Sequence, residues 1–450
     1  MDKYQTYTEF KSSGIEWIGP VPDHWGIKPL FGVASTESLK NETGEKTNVL
    51  SLSYGNIIRR DVEKNFGLLP ESFNTYQLVS SGDLILRLTD LQNDKRSLRV
   101  GQAKEEGIIT SAYLKLTAKN IDLDERYFYR LLHSYDTTKV FYGMGGGLRQ
   151  SMKFEEMRRL PMLVPTLDEQ QKIAIFLDHE TAKIDTLIEK QQQLIKLLKE
   201  KRQAVIGHAV TKGLNPNAPM RDSGVEWLGE VPEHWDVAKV SHRYEIRLGK
   251  MLDVKKVTGN HLGSYLRNTD VQWDRINTDD LPQMDFRPEE YQRYSVKNGD
   301  LIVCEGGDIG RSAIWNLDET CFYQKALHRL RPHYHSKDHT RFMFYLMFDA
   351  VHQERLSGGI EKATIAHLPA ETFRQYRFAY PPHVEQVTIS NFLDKINTKF
   401  ELVEATARKQ IELFQERRTA LISAAVTGKI DVRNWQAPEP SHTNNKEVAP

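Results

Sequence analysis

The sequence predicts an α+β protein in which one architecture, an α/β domain followed by a long helix, occurs twice in tandem. Two observations lead to this prediction. Four motifs recur in the same order at a nearly constant offset. Each copy also ends in a run of more than 40 residues without Pro or Gly, in which apolar residues follow helical spacing. We therefore expect a pseudo-twofold molecule made from one chain.

The repeat is defined by four pairs of segments whose offset stays between 210 and 217 residues. The clearest pair is SGIEWIGPVPDHW at 13–25, which returns as SGVEWLGEVPEHW at 223–235. Ordered matches at one offset favour duplication over chance similarity, and two long copies are too few for a solenoid. The other pairs are 81–85 with 298–302, 165–178 with 381–394, and 201–213 with 417–429.

Each copy begins with short strand-like runs separated by Gly-rich or polar turns, which predicts α/β domains over residues 1–164 and 214–380. In the first copy, strands are predicted at 49–54, 83–88 and 112–116, and a short helix at 127–134. In the second copy, the corresponding predictions are strands within 263–273, 300–304 and 326–332, and a helix at 341–353.

The long helices are predicted over residues 165–213 and 381–430. Thr166 and Glu169 have the spacing of a capping box, and Gly213 and Gly428 are typical helix stops. At 1.5 Å per residue, about 40 helical residues span roughly 60 Å, too long for one ordinary core. Each apolar seam must therefore be buried against the other copy's helix, a different protein, or both along different stretches. The seam residues are Ile184, Leu187, Leu194 and Leu198, then Phe400, Phe414 and Leu421.

Composition narrows the possible functions. The 450 residues carry 61 Lys and Arg against 61 Asp and Glu, so nucleic-acid binding through bulk charge is not expected, only binding through local patches. Cys304 and Cys321 are the only cysteines, which excludes a disulfide framework and a four-cysteine zinc site. With no signal-peptide core and no apolar run of about 18 residues, we expect a cytoplasmic chain without a membrane partner. The polar residues 431–450 are expected to form a disordered tail.

Motifs of catalysis are missing from the sequence. It contains no P-loop, dinucleotide-binding glycine motif, adenine-methyltransferase loop, nucleophile elbow or HExxH. The His-rich segment 333–339 has no counterpart in the first copy and is interpreted as a solvated loop. His24 and His234 recur beside tryptophans, which indicates packing at the start of each domain. The sequence therefore predicts no metal site and no catalytic residue.

Basic and polar residues beside predicted strands and glycines are the remaining candidates for function. Such side chains suit phosphates and base edges, although each taken alone is more typical of a solvated surface than of a DNA contact. The predicted DNA-binding residues are Arg59, Arg87, Lys95, Arg96, Arg149 and Gln150 in the first copy, and Arg267, Asn268, Arg311 and Lys362 in the second.

Taken together, these motifs resemble the specificity subunit of type I restriction–modification enzymes over residues 13–430. The resemblance rests on the paired G-D-L-I segments at 82–85 and 299–302, and on GDIGRSA at 307–313. It also rests on the helix starts with Glu169-Gln170 and Glu385-Gln386. The first copy departs from the pattern, because residues 89–101 keep only Arg96-Ser97 of the GDIGRSA motif.

The resemblance implies two target-recognition domains, each reading half of a bipartite site in double-stranded DNA. It implies that the two helices pair as an antiparallel coiled coil. Two modification subunits, which carry S-adenosylmethionine and methylate adenine, would dock on this scaffold, and ATP-dependent restriction or motor subunits would join through them. The helix starts and the seam residues are then the predicted docking positions, and the chain itself would hold no cofactor and catalyse nothing.

Other functions remain open at this point. One is a coiled-coil adaptor of a protein assembly without DNA readout. Another is an enzyme with its own methyltransferase or nuclease centre, which the missing cofactor loops argue against. A third is the specificity chain of a modification system that has no motor subunit.

Overall fold

The computed structural model describes residues 4–61, 72–91, 98–119, 122–144, 151–253, 257–357 and 367–437. The chain divides into two units, Met1–Gln191 with Lys409–Pro450, and Gln192–Arg408. Each long helix supplies its two halves to different units. The first half of each long helix therefore belongs to the unit of the α/β domain that precedes it, and the second half belongs to the other unit.

The first copy contains twelve strands and four helices within the described residues. The strands are β1 (Phe10–Ser12), β2 (Pro20–Pro22), β3 (Gly26–Pro29), β4 (Ala34–Ser35), β5 (Leu50–Ser53), β6 (Asn56–Arg59), β7 (Gln77–Val79), β8 (Leu84–Leu86), β9 (Val100–Gln102), β10 (Gly107–Ile109), β11 (Leu114–Ala118) and β12 (Pro161–Val164). The helices are α1 (Leu30–Val33), α2 (Glu125–Thr137), α3 (Phe154–Met157) and α4 (Leu167–Lys212).

The second copy, over its described part, repeats this order with additions. The strands are β13 (Met220–Asp222), β14 (Glu230–Pro232), β15 (Asp236–Lys239), β16 (Tyr244–Leu248), β17 (Leu262–Leu266), β18 (Val271–Gln272), β19 (Arg275–Ile276), β20 (Gln283–Asp285), β21 (Ser295–Val296), β22 (Leu301–Cys304), β23 (Ser312–Ile314), β24 (Cys321–Tyr323), β25 (Leu327–Pro332) and β26 (Arg377–Tyr380). The helices are α5 (Val240–Arg243), α6 (Tyr291–Tyr294), α7 (Thr340–His352), α8 (Ala370–Gln375) and α9 (His383–Val426).

The sheet topology confirms the repeat predicted from the sequence. The four-stranded sheet β4-β11-β8-β9 of the first copy has the same order as β16-β25-β22-β23 of the second. The pairs β1-β2 and β3-β12 likewise match β13-β14 and β15-β26. The remaining strands differ between the copies. The first copy has the two-stranded sheets β5-β6 and β7-β10, whereas the second has the two-stranded sheet β18-β19 and the four-stranded sheet β20-β17-β24-β21. The copies therefore share a scaffold and differ in what is attached to it.

The repeated G-D-L-I segment forms the same turn in both copies. The buried carboxylate of Asp83 accepts a hydrogen bond from the Ser80 amide at 2.8 Å, and Asp300 accepts one from the Lys297 amide at 2.7 Å. An Asp side chain that bonds its own turn fixes the backbone where the next strand begins. The motif is thus a structural element that starts β8 and β22.

The core of the first unit is closed by residues from late in the chain. Leu421, Ile422 and Val432 are buried in one apolar cluster with Trp25, Leu177 and their neighbours. The ring of Trp435 meets Phe176 edge-on at 5.2 Å. This corrects the prediction of a disordered tail from residue 431, because the apolar side chains of 430–435 complete a core formed mostly by the first copy. Residues 438–450 lie outside the described part.

Among the described residues, no helix combines the length and the apolar character needed to cross a membrane.

Both long helices end at the predicted glycines, each in the left-handed region and each packed on a tryptophan. Gly213 has φ +77°, and a Cβ there would lie 3.2 Å from Trp235. Gly428 has φ +73°, and a Cβ there would lie 2.2 Å from Pro22 Cδ. Gly428 is therefore constrained by its neighbours as well as by its backbone conformation.

Gly428→Ala should destabilise the first unit by more than the backbone strain at this position would cause alone. The matched control is Gly14→Ala, because Gly14 has φ +69° and nothing within 4 Å of a Cβ. We expect Gly14→Ala to lower the free energy of unfolding by about 1 kcal/mol and Gly428→Ala by about 1–3 kcal/mol more. Urea unfolding of both variants measures the difference, and equal losses would contradict the tight packing at Pro22.

Candidate nucleic-acid interface

The start of α4 is tied to the first α/β domain through the carboxylate of Glu169. His24 Nε2 lies 2.8 Å from Glu169 Oε2, and Tyr7 donates its hydroxyl to Glu169 Oε1 at 3.0 Å. The Trp25 indole donates to the same oxygen at 3.4 Å, and the Thr166 hydroxyl caps the helix from the other side. A carboxylate at a helix N-terminus also interacts favourably with the helix dipole. His24 is therefore part of a polar clamp and does not serve for packing alone.

The next residue, Gln170, is fully buried and bonds backbone groups on both sides. Its amide nitrogen donates to the Asp122 and Pro165 carbonyls, both at 2.9 Å. Its oxygen accepts from the Asp124 amide at 2.9 Å, next to the start of α2. One side chain thus joins the starts of α2 and α4.

The second unit repeats the His, Trp and Gln contacts of this arrangement at equivalent positions. Glu385 accepts from the Trp235 indole at 3.2 Å, and its Oε2 lies 2.8 Å from His234 Nε2. Gln386 donates to the Lys337 and Pro381 carbonyls at 2.9 and 2.8 Å and accepts from the His339 amide at 2.9 Å. The structure therefore gives all four predicted docking residues of the helix starts a role inside the chain. Docking of another subunit at them remains a prediction.

The predicted helix seam is buried only in part. Ile184 and Leu421 are buried in the first unit, with Phe414 packed against the same cluster. Leu198 and Phe400 are half-buried. Leu187 and Leu194 are 42% and 38% exposed, so this chain alone leaves the seam open at these two positions.

Each unit contains an ion pair between the two long helices, which the sequence reading missed. In the first unit, Arg418 Nε lies 2.9 Å from Asp185 Oδ1. In the second unit, Arg202 Nε donates to Asn397 Oδ1 at 3.0 Å, and its guanidinium lies 3.5 Å from Glu401. Arg202 and Arg418 occupy equivalent positions in the repeat, so the same contact is made twice. The polar residues beside the seam therefore take part in pairing the helices.

The predicted DNA-binding residues fall into distinct environments. The side chain of Arg59 is 72% exposed and pairs with Glu105, with Nε 2.8 Å from both carboxylate oxygens. Arg267 is held by Asp270 at 2.8 Å. Arg87 is half-buried. Lys95, Arg96, Arg149, Gln150 and Lys362 lie outside the described residues.

The structure brings two of the predicted residues, Asn268 and Arg311, into contact. The Arg311 guanidinium donates to the Asn268 carbonyl and to its Oδ1, both at 3.1 Å, and also pairs with Asp308. The Asn268 amide in turn donates to the Gly306 carbonyl at 2.6 Å. Only 14% of the Arg311 side chain is exposed, so its guanidinium is directed mainly into the protein.

The first-copy counterpart of Arg311 is Arg99, which corrects the sequence interpretation that Arg96 is the equivalent. Leu86 pairs with Val100 across β8 and β9, as Val303 pairs with Ser312 across β22 and β23. The residue before each partner is therefore Arg99 or Arg311. The register of the G-D-L-I strand was the available signal, but five additional residues in the first copy hid it in the one-dimensional comparison.

The backbone at Arg99 is fixed by a buried carboxylate. Asp136 on α2 accepts hydrogen bonds from the backbone amides of Arg99 and Val100, the latter at 3.2 Å. Burial raises the pKa of Asp136 to about 6, and the two amide bonds only partly oppose this effect. The carboxylate thus ties the start of β9 to α2.

The described residues contain no group of three or more His, Cys, Asp or Glu side chains arranged to hold a metal ion. In the His-rich segment, Asp338 pairs with Arg243 at 2.7 Å and His339 Nδ1 lies 3.2 Å from Ser390 Oγ. These polar groups stabilise the domain. The site's chemistry is therefore that of hydrogen-bonding and charged groups presented on loops.

The architecture is thus a duplicated α/β domain on long helices, with basic and amide side chains at its loops. The chain belongs to the family described as type I restriction modification DNA specificity domain, which matches residues 100–197 and 235–413. The first matched segment contains part of the four-stranded sheet β4-β11-β8-β9. The second contains the whole of β16-β25-β22-β23.

Several known proteins are similar to this chain. The type I restriction enzyme MjaVIII specificity subunit of Methanocaldococcus jannaschii is 24% identical over 340 residues, 73% of this chain and 76% of that protein. The putative MjaX specificity subunit of the same organism is 21% identical over 435 residues, 92% of this chain and 96% of that protein. The EcoKI specificity subunit of Escherichia coli K12 is 23% identical over 49% of this chain and 48% of its own length.

Two solved structures share the fold. A chain from work on complex assembly and conformational transition of the type I R-M system has a TM-score of 0.69 at 15% identity, covering 91% of this chain and 99% of its own. The HsdS subunit from Thermoanaerobacter tengcongensis has a TM-score of 0.51 at 15% identity, covering 91% and 98%.

Gln170→Glu should destabilise the first unit strongly near neutral pH. The substitution places a carboxylate oxygen against two carbonyl oxygens, in a site where the wild-type amide donates to both. We expect the free energy of unfolding to fall by about 2–4 kcal/mol at pH 7.5, and by less at pH 5, where a protonated Glu regains one donor.

The matched control is Gln171→Glu, because Gln171 is the exposed neighbour on the same helix turn. It adds the same charge near the helix N-terminus, where a negative charge is favourable. Urea unfolding at both pH values separates burial from charge, and equal effects of the two substitutions would contradict the role assigned to Gln170.

Proposed function

We propose that this chain is the DNA sequence-recognition subunit of a type I restriction–modification complex and reads a bipartite, asymmetric site. We base the proposal on one observation: within a chain of the DNA-specificity family, two α/β domains share a scaffold and differ in the strands and loops attached to it. The shared part suits common partners, while the different parts suit different base sequences.

The asymmetry of the target follows from the differences between the copies. Identical domains related by a pseudo-twofold axis would read a palindrome, because the half-sites mirror the protein's symmetry. Here the loop after β8 and the loop after β22 differ in length and sequence, and the second copy carries an additional sheet of β17, β20, β21 and β24. Each domain therefore reads its own half-site.

Partner subunits supply the chemistry in this proposal. Two modification subunits carry S-adenosylmethionine and methylate adenine, and restriction subunits with ATP join through them. The exposed Leu187 and Leu194 give these partners apolar surface on α4. The zero net charge of the chain fits an assembly in which partners contribute much of the phosphate contact.

The long helices act in this proposal as an antiparallel coiled coil that sets the distance between the half-sites. In the second unit, Lys199 pairs with Glu404 and Arg202 with Glu401, so ascending positions on α4 meet descending positions on α9. In the first unit, Arg418 and Asp185 make the equivalent contact. A helical scaffold of about 60 Å allows at most about 18 base pairs between half-sites.

The function is tested by mapping adenine methylation of host DNA at base resolution, with the gene present, deleted and restored. We expect one bipartite motif with two different halves to lose methylation on deletion and to regain it on restoration. Unchanged methylation with all partner subunits expressed would contradict the proposal and favour a coiled-coil adaptor.

Shortening both helices by one heptad tests the proposed spacer. Deleting 189–195 from α4 and 405–411 from α9 removes equivalent residues and preserves the heptad register. The scaffold becomes about 10 Å shorter, so the preferred spacer should shorten by about two or three base pairs. Methylation of duplexes with varied spacers measures the shift. A shortened chain that keeps the wild-type spacer would contradict the role of the helices.

A further inference from the structure

Arg99 and Arg311 occupy the same place in the two copies. Each directly precedes the last strand of a hairpin, β8-β9 in the first copy and β22-β23 in the second. The Arg87 amide donates to the Arg99 carbonyl at 2.9 Å, and the Cys304 amide donates to the Arg311 carbonyl at 2.8 Å. These bonds close a loop in each copy. We name the described segment 87–91 loop 1 and residues 304–311 loop 2.

Arg99 holds loop 1 by donating hydrogen bonds to backbone carbonyl groups of the loop. Its guanidinium donates to the Thr89 carbonyl at 3.0 Å and to the Asp90 carbonyl at 3.2 Å, and the side chain is fully buried. Asp90 has φ +60°, a left-handed conformation that non-glycine residues adopt at a cost. The arginine therefore stabilises a backbone shape that the chain alone would disfavour.

Arg311 holds loop 2 by a different set of atoms. It pairs with Asp308 inside the loop and donates to both oxygens of Asn268, which follows β17. Asn268 completes the link by donating to Gly306 at 2.6 Å. Loop 2 and the segment after β17 are thus joined into one surface.

Charge-assisted hydrogen bonds to backbone carbonyls fix the shape of a loop, and the guanidinium groups of Arg99 and Arg311 both make such bonds. A DNA contact requires the opposite arrangement, with donors directed outward to phosphates or base edges. Arg99 is fully buried and the Arg311 side chain is 14% exposed. Neither guanidinium is placed to grip DNA in the manner of an exposed arginine such as Arg59.

We propose that Arg99 and Arg311 are positioning residues for DNA readout, each setting the shape of one loop and therefore the fidelity of one half-site. This inference rests on the proposed function of the chain. Because base discrimination depends on bidentate hydrogen bonds of fixed geometry, a loop that loses its anchor loses selectivity before it loses all affinity.

The test uses the full complex with its modification subunits and methylation from labelled S-adenosylmethionine. Substrates are the cognate duplex and duplexes with single-base changes in one half-site or the other. The discrimination ratio is kcat/KM for the cognate duplex divided by that for each altered duplex. A loss of active protein lowers all rates together and leaves this ratio unchanged, so a general folding defect does not imitate the expected result.

We expect Arg99→Ala to lower discrimination about tenfold at one half-site, and Arg311→Ala to do so at the other, each leaving the opposite half-site as in the wild type. Arg99→Lys and Arg311→Lys should recover part of the loss, because an ammonium still donates to carbonyl oxygens. Arg158→Ala and Arg377→Ala remove exposed arginines from the same units and serve as matched controls.

If the alanine variants do not fold, Tyr142→Phe and Asp308→Asn replace them. Tyr142 lies 3.5 Å from Arg99 Nε and also accepts from Lys139 Nζ, and the side chain of Asp308 is 72% exposed. Each change therefore removes one contact of the anchor and leaves its bonds to backbone carbonyls in place. Reciprocal loss of discrimination in these variants supports the inference.

Two results overturn the inference. One is wild-type discrimination at both half-sites in folded variants, and the other is equal loss at both half-sites from either variant. In both cases the wild-type complex still methylates its site, so the proposed function stands. Failure of the wild-type complex to methylate any specific site would instead overturn the proposed function and the inference with it.

Discussion

The structure depends on one buried polar contact that is made twice, the clamp between the start of each long helix and the α/β domain before it. The Gln side chain satisfies buried backbone groups of the residues beside the helix start, and the Glu carboxylate bonds side chains of the domain. Because Gln170 and Gln386 are fully buried, each helix direction is fixed relative to its domain within the unit. A fixed helix direction is what the proposed spacer between two half-sites requires.

The second constraint is that each unit uses segments from both long helices. The first unit packs its core against 421–432, and the second packs its own against Ile206 and Val210 near the end of α4. A helix end with its glycine on a tryptophan, Gly213 on Trp235 and Gly428 near Trp25, closes each unit in the same way. The duplication is therefore a duplication of interfaces as well as of domains.

Much of the fold could be predicted from the sequence because its determinants are local. The capping Thr166, the Pro- and Gly-free run and the stop glycines predicted α4, and short strand-like runs bounded by Gly-rich or polar turns predicted β8, β22 and β25. What escaped prediction depends on tertiary contacts. Nothing in the local sequence shows that Val432 completes a distant core, that Arg202 faces the other helix, or that Arg311 points inward. The matching of Arg99 with Arg311 needed strand register, which a loop of different length conceals.

The use of late residues in the first unit has a consequence for synthesis on the ribosome. The second unit, Gln192–Arg408, is continuous in the chain, whereas the first waits for residues after Lys409. At about 5–20 residues per second, this delay lasts roughly 10 to 40 seconds. During that time the apolar surface around Trp25 and Phe176 lacks its covering side chains. The nascent chain is thus most vulnerable to aggregation through its first-made domain, and the domain made second can finish folding first.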